Sequence, residues 1–522
     1  MAVHKLKTKF EARVFDVRTG TNIVLLNEDE AHENGIYTAD RVIVERDLKQ
    51  AVAIVDVSST MVKRGEVGLF ADIAEKLGVK RGDQLTLSPT GQPASIEIIK
   101  KKMDGRMLEP KEIETVITEL MDNKLSDVEL ASFITSLYIR GLGTDETVAL
   151  TKAIVNSGKT LELGVHPVVD KHCTGGVAGN RTTMLIVPIV AASGLYMPKT
   201  SSRSITSAAG TADTMEVLAK VELSLEEMKR IVLKTRGCIA WGGEMNLAAA
   251  DDKLIRIRHP LRLDPKGVMV ASVLAKKKSV GADYVVIDIP VGRGAKIESM
   301  EMANDLAREF IVIGAKLGMK CEVFITYGRD PVGEGIGPAL ECRDVLKALQ
   351  GSGPSDLTQK SCKLAGAVLE LSGKVEPGRG YAVSLDLLQS GKAYEKMKEI
   401  IEAQGGNPKV KPDDLPIGQY RHQIFAEADG RIHLVDNQAV NRIARAAGAP
   451  KSKGAGMILH VESGDKVKKG QLLYEIVSES ETKLSDAVDM AEEVSAIELE
   501  EIILGKMGES RVFEWKPEKA EK

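Results

Sequence analysis

Between residues 168 and 425, strand-length apolar runs such as HPVVD, DYVVIDIPV and CEVFITYG alternate with amphipathic stretches such as SLEEMKRIVLKTRG and MANDLAREFIVIGAKLG. A chain that switches repeatedly between a period near two and a period near 3.6 reads as a mostly parallel sheet with helical covers. In that architecture ligands gather in the loops that leave the carboxyl ends of the strands. One such loop carries chemistry. In DKHCTGGVAGNRTTM, residues 170–184, two adjacent glycines and a lysine sit between the run HPVV and the helix-like LIVPIVAASG. Glycines at a strand-to-helix turn let the backbone approach a ligand, and the unpaired N–H groups of the next helix favour an anion. The stretch matches neither G-x-x-x-x-G-K-[ST] nor G-x-G-x-x-G, which argues against a triphosphate P-loop and a dinucleotide fingerprint.

A second stretch strengthens the reading. TSSRSITSAAGTADTMEVL, residues 200–218, groups Ser201, Ser202, Ser204, Thr206, Ser207 and Thr211 around Arg203. Hydroxyls, backbone N–H groups and a guanidinium match the acceptor-rich surface of a phosphate. The remaining chain divides by period. Residues 1–92 alternate in short runs (RVIVE, AVAIVDV, DQLTLSP) around one compact helical stretch, GLFADIAEKLG, and read as a small β-rich domain. Residues 93–168 turn helical, with PKEIETVITELMDNK, SDVELASFITSLYIRG and TDETVALTKAIVNSG in succession; Ser126 and Glu129 form a capping box, and Gly141 and Gly158 supply stops. Residues 169–425 form the α/β domain and 426–522 a β-rich domain ending in the charged, disordered-reading tail WKPEKAEK. GEGIG, residues 333–337, reads as a loop.

Global composition mainly excludes. A net charge of −4 over 522 residues advertises neither nucleic acid nor an anionic membrane. Cys173, Cys238, Cys321, Cys342 and Cys362 are scattered and never paired as CxxC, which argues against a disulfide framework or a thiolate zinc site and for a reducing cytoplasm. No signal-peptide pattern or run of about 20 apolar residues is found. Residues 1–90 hold 13 Lys and Arg against 14 Asp and Glu, so the basic footprint of a DNA-binding domain is missing.

At the two anion-binding stretches the chain resembles a known family. DKHCTGGV resembles the phosphate loop D-K-H-S-T-G-G-V of thymidine and pyrimidine nucleoside phosphorylases, and SSRSITSAAGTADTMEVL resembles their S-G-R-G…T-G-G-T-x-D signature. The likeness continues through ASVLAKK, residues 271–277, and VGRGAK, residues 291–296, with archaeal AMP phosphorylases the nearest in pattern. This implies the type 2 nucleoside phosphorylase fold: a helical lobe completed by roughly residues 245–280, a large α/β lobe, an added double-psi-like β domain at the N-terminus and a β hammerhead at the C-terminus. GDKVKKGQLLYEI is similar to half of a biotinyl or lipoyl domain, but the AMKM or DKA holding the modified lysine is missing upstream.

The implied reaction is phosphorolysis of AMP, with CMP and UMP as further substrates, to free base and ribose 1,5-bisphosphate. Inorganic phosphate is co-substrate, no cofactor or metal is expected, and the family forms homodimers or larger homo-oligomers. By resemblance Asp264 in RLDPKG is the proton donor to the base, with His172 as alternative; the same aspartate also begins an Asp-Pro turn. Lys171, with Thr182 or Thr183, holds phosphate charge and Gly176 admits the backbone. Ser202, Arg203, Ser204, Ile205, Thr206, Ser207, Thr211 and Lys296 bind the nucleotide; the two serines and the lysine stand where nucleoside enzymes have glycine or a non-basic residue, as a 5′-phosphate would require. Ser272 and Lys276, four apart on one helical face, can meet a base edge. Either Arg256 or Arg258 meets the base. Cys173 replaces the family's usual serine. Three other functions compete: a pyrimidine nucleoside phosphorylase, an anthranilate-type phosphoribosyltransferase, whose acidic magnesium ligands and N-I-S-T run are not found, and a nucleotide-sensing regulatory protein.

Overall fold

The computed structural model describes residues 8–243, 245–500 and the short strands Met507–Gly508 and Arg511–Val512; the tail WKPEKAEK lies outside the described residues. The chain divides into two compact units, Met1–Thr160 with Asn246–Val280 and Val312–Leu317, and Leu161–Met245 with Gly281–Ile311 and Gly318–Lys522. Among the described residues no helix is long and apolar enough to cross a membrane.

The first unit begins with a closed barrel, in spatial order Thr8–Phe15, Glu66–Phe70, Ile23–Asn27, Lys49–Ser58, Arg41–Arg46 and Gln84–Pro89. Ala51, Ala53 and Val55 point inward from AVAIVDV, so alternation builds the barrel core with Val24, Leu26, Val44, Val67 and Leu69. One expectation is corrected here. In GLFADIAEKLG the helix is only Ala71–Leu77; Gly68, Leu69 and Phe70 finish a barrel strand, because Leu69 completes the inward-facing set.

The helices Pro110–Met121, Asp127–Arg140 and Thr144–Asn156 form as their sequence period requires, and Ala249–Leu261 and Lys266–Ser279 share their core. Ser95–Met103 is an additional helix whose apolar stripe was hidden by Lys100, Lys101 and Lys102. The capping box at Ser126 is made: Glu129 Oε2 accepts from Ser126 N at 2.7 Å, and Ser126 Oγ accepts from Glu129 N at 3.3 Å. The same carboxylate pairs with Arg41, whose Nε donates to Lys124 O at 2.9 Å, so one cap also fastens barrel to bundle. Gly158 sits where a Cβ would lie 2.3 Å from Asn246 O, which is why a glycine follows that helix.

In the second unit Val169–Cys173, Tyr284–Val291 and Lys320–Tyr327 pair in parallel, and so do Met197–Ser201 and Gly237–Trp241; a bridge from Val168 to Tyr196 links the two sheets. Thr182–Ala192 is apolar all round and buried, as a helix in the middle of a core must be. The helices Pro338–Leu349, Ser355–Leu371, Gly380–Gln389 and Lys392–Ala403 pack around it. Two further expectations change. GEGIG is not wholly loop: Gly335–Ile336 pairs with Met457 and Ile458. Beyond residue 426 the strands Gly430–Val435, Gly456–Leu459 and Leu472–Ser478 are joined by two helices, Asn437–Ala446 and Glu481–Glu493; the first starts because Asp436 Oδ1 accepts from Gln438 N and Ala439 N at 2.8 and 2.7 Å.

Asp344 holds the GEGIG turn, its Oδ2 accepting from Glu334 N at 2.9 Å and Gly335 N at 2.6 Å. Burial outweighs these bonds and pushes its carboxyl up to about 6. The folded chain therefore binds this proton where the unfolded chain, at about 3.9, has lost it, and the group's contribution to stability falls as pH rises between the two values. Asp344→Asn is expected to gain about 2–3 kcal/mol relative to wild type between about pH 4 and pH 7. Urea midpoints at both ends of that range measure it, and parallel pH profiles would refute the assignment.

Candidate active site

The anion loops emerge together from the carboxyl edge of the parallel strands in the second unit. Lys171, on Val169–Cys173, is wholly buried; its Nζ lies 3.2 Å from Asp288 Oδ2 and donates to Thr182 Oγ1 at 3.1 Å. Thr182, rather than Thr183, is thus the hydroxyl in this group. Thr326 Oγ1 donates to the other Asp288 oxygen at 2.6 Å. A residue that the sequence did not single out joins them: Lys360, on Ser355–Leu371, places Nζ 3.7 Å from Asp288 Oδ2, and that buried ammonium has no hydrogen-bond partner among the described residues. Burial pushes the Asp288 carboxyl up, but Lys171, Lys360 and the Thr326 hydrogen bond outweigh it and hold it below the usual carboxylate range. Asp170 and Lys199 pair separately at 3.5 Å. Among the described residues Lys171 and Lys360 thus share the single carboxylate of Asp288, one positive charge more than the carboxylate matches, in a place where charges are normally paired.

Above the lysines the chain turns at Gly175 and Gly176, at φ of 93° and 91°, in the left-handed region that favours glycine. A Cβ on Gly176 would lie 2.3 Å from Lys296 N, so the Gly-Gly turn and the 292–297 turn touch. Thr174 Oγ1 is buried there without a hydrogen-bond partner among the described residues. Lys296 itself is exposed. Strand alternation turns half-buried His172 to the face opposite Lys171 and Cys173. Cys173 Sγ accepts from Asn180 Nδ2 at 3.4 Å; burial, then the Asp288 charge, pushes the thiol up, so it stays neutral.

The signature loop is shaped by carboxylates. Asp213 Oδ2 accepts from Ser204 N at 2.7 Å and Gly210 N at 2.9 Å, folding residues 202–211 back on themselves. Ser204 Oγ and Ser207 Oγ lie 3.2 Å apart; Ser202, Ile205 and Thr206 are exposed, and Thr211 opens the short helix Thr211–Met215. Arg203 departs from expectation. Its guanidinium makes a two-pronged bond to Glu216 at 2.6 and 2.7 Å, a third to Glu222 at 2.9 Å, and lies 4.8 Å from the Trp241 ring centroid. Arg203 holds Glu216 down to about 2, against burial and with Lys453 helping. The arginine is committed to the loop's frame rather than offered as a free cation. Arg181, buried at the base of the loop, bonds Glu341 and Ala209 O and so ties the phosphate loop to the signature.

In the first unit Asp264 precedes Lys266–Ser279 and accepts from Arg258 Nη1 at 2.6 Å. Arg256 pairs instead with Asp127 at 3.2 Å on the surface, which separates the two arginines that the sequence could not. Ser272 and Lys276 share a face, and both reach Asp251 Oδ2, at 2.8 and 2.6 Å. Asp251 is wholly buried and its Oδ1 has no hydrogen-bond partner among the described residues. Sequence reasoning missed Asp251, Asp288 and Lys360. Asp288 left a signal, an acid inside the apolar run DYVVIDIPV; Lys360 left none.

A helical bundle, an α/β unit with anion loops along its strand ends, and a C-terminal β module define a glycosyl transferase class that includes nucleoside phosphorylases. Residues 96–158 match the family described as "Glycosyl transferase family, helical bundle domain", residues 165–394 its "a/b domain", and residues 432–498 the "Pyrimidine nucleoside phosphorylase C-terminal domain". The chain belongs to the AMP phosphorylase family. It is 46% identical to the AMP phosphorylase of Thermococcus kodakarensis over 96% of this chain and 99% of that one. It is 45% identical to that of Methanosarcina barkeri over 94% and 97%. In fold it is similar to anthranilate phosphoribosyltransferase from Thermus thermophilus, with a TM-score of 0.51 and 22% identity, over 59% of this chain and 99% of that one.

Proposed function

We propose that this chain catalyses phosphorolysis of AMP, and of CMP and UMP, to free base and ribose 1,5-bisphosphate. The unmatched positive charge of the Lys171–Asp288–Lys360 group beneath the Gly-Gly turn is the observation that carries the phosphate half of this reading. A phosphate oxygen attacks C1′, the bond from C1′ to the base nitrogen breaks with its electron pair passing to the base, and Asp264, or His172 in its place, supplies the proton. Lys171, Thr174 and Lys360 hold the attacking phosphate, with Gly176 admitting its oxygens to the backbone. Ser202, Ser204, Thr206, Ser207, Thr211 and the exposed Lys296 serve the 5′-phosphate, Ile205 contributing backbone, while Arg203 keeps their loop in shape. Ser272 and Lys276, set by Asp251, serve the base edge. The reaction needs phosphate as co-substrate and no cofactor, and we place it in a cytoplasmic homo-oligomer. The N-terminal barrel is read as double-psi-like and the C-terminal module as a hammerhead without a carried group. Incubation with AMP and phosphate in the absence of magnesium should release adenine; no release overturns the reading.

Lys296 tests the nucleotide preference. A hydrogen bond to a charged group contributes about 1.5–3 kcal/mol, so Lys296→Ala should raise the KM for AMP by about one to two decades. Adenosine lacks the 5′-phosphate and should hardly respond. Comparing kcat/KM for AMP and adenosine decides it, and an unchanged ratio removes Lys296 from the phosphate site.

A further inference from the structure

The helix Asn437–Ala446 touches the loops in a repeating way. Asn437, Asn441 and Arg445 follow at four-residue spacing on one face. Asn437 Oδ1 accepts from Ala178 N, in the phosphate loop, at 2.9 Å, while its Nδ2 donates to Gly328 O and Arg329 O at 3.2 and 2.9 Å. One turn on, Asn441 Oδ1 accepts from Ala208 N, in the signature loop, at 2.8 Å, and its Nδ2 donates back to Asn437 O at 2.8 Å. A further turn on, Arg445 Nη1 donates to Ser207 O at 3.0 Å. The 292–297 turn also rests on this helix, since a Cβ on Gly294 would lie 3.6 Å from Gln438 Cγ. Ala439, Val440, Ile443 and Ala444 lock the other face into the C-terminal core.

We infer that this polar ladder is a positioning device: Asn437 and Asn441 fix the separation between the loop that holds the attacking phosphate and the loop that holds the nucleotide's 5′-phosphate. A helix advances about 1.5 Å per residue and is stiff over two turns, so its side chains are a better ruler than a loop of 202–211's length can supply for itself. Asn437 is wholly buried and spends its carbonyl and both amide hydrogens on backbone of two separate loops, which leaves no slack in its rotamer. The C-terminal module thus has a role in a nucleotide enzyme without carrying any group of its own. The ligand assignment of each loop rests on the proposed function; the bracing does not.

The test uses the full chain with Asn441→Ala and Asn437→Ala, reading KM for AMP and for phosphate separately, together with amide exchange of residues 175–180 and 203–209. Asn441→Ala is expected to raise the KM for AMP about fivefold to tenfold, the size of one lost hydrogen bond, with phosphate KM within about twofold and faster exchange confined to 203–209. Asn437→Ala is expected to do the reverse. Asn441→Asp keeps the acceptor and should restore protection of 203–209. If Asn437→Ala does not fold, the Asn441 arm alone decides. Both KM values rising together, neither moving, or loosened exchange with unchanged KM overturns the inference. If the wild-type chain releases no adenine, the substrate assignment falls while the exchange arm still decides the ladder: loosening of both loops, or of neither, defeats it.

Discussion

Asp264→Asn is expected to lower kcat for AMP by about 10²–10⁴-fold, the usual contribution of a general acid, with KM for AMP nearly unchanged. An acid that acts in the transition state registers in turnover rather than in ground-state affinity. The amide is nearly the same shape and keeps an oxygen for Arg258 Nη1, now 2.6 Å away, so the loop before Lys266–Ser279 should stay in place. Arg258 also sharpens the test. Asp264 accepts from that guanidinium in the structure described, and to donate it must first carry a proton and loosen that bond. Arg258→Ala should therefore leave much of the turnover in place, whereas Asp264→Asn should not. Turnover of Asp264→Asn within a few-fold of wild type would dismiss Asp264 as proton donor and leave His172 to be examined.

What the sequence made legible was local. The strand HPVV, the glycine pair and the apolar helix after it lie within one short stretch, so the turn at Gly175 and Gly176 follows from period and backbone freedom alone. The Ser126–Glu129 cap was legible for the same reason. What stayed hidden is long-range pairing. Nothing near Lys171 names Asp288 or Lys360 as its companions, since three separate elements must fold before the charges meet. Ser272 and Lys276 were rightly placed on one face, but spacing could not reveal that Asp251 occupies it. Arg203 shows why: a guanidinium among hydroxyls suggests phosphate, yet in the structure Glu216, in the same quoted stretch, is the anion that it meets. An arginine is as good a brace for its own loop as a ligand for a substrate, and only geometry distinguishes them. The helix Asn437–Ala446 was hidden by the β-rich character of its neighbours, although Asn437 and Asn441 already stood at helical spacing.

Lys171 should give the second large effect, and it separates structural from functional charge. Removing one partner of a buried ion pair typically costs about 3–5 kcal/mol, because the other charge is left uncompensated. Lys171→Gln leaves Asp288 wholly buried with Lys360 at 3.7 Å as its remaining cation, so the loss should lie near the lower end of that range. At about 2–4 °C per kcal/mol for a unit of this size, Tm should fall visibly. The double variant Lys171→Gln with Asp288→Asn removes both charges while keeping an amide-to-amide hydrogen bond and an acceptor for Thr326, now bonded to Asp288 at 2.6 Å. Its Tm should recover only part of the way, because Asp288→Asn also takes away the carboxylate 3.7 Å from the buried Lys360 ammonium. Activity should not return with it, because the phosphate dianion still lacks the ammonium that met it, and KM for phosphate should stay raised by one to two decades, the equivalent of about 1.5–3 kcal/mol. Recovery of phosphorolysis would mean that Lys171 serves only to neutralise Asp288, and Lys360, whose ammonium has no hydrogen-bond partner among the described residues, would then be the cation that meets the phosphate.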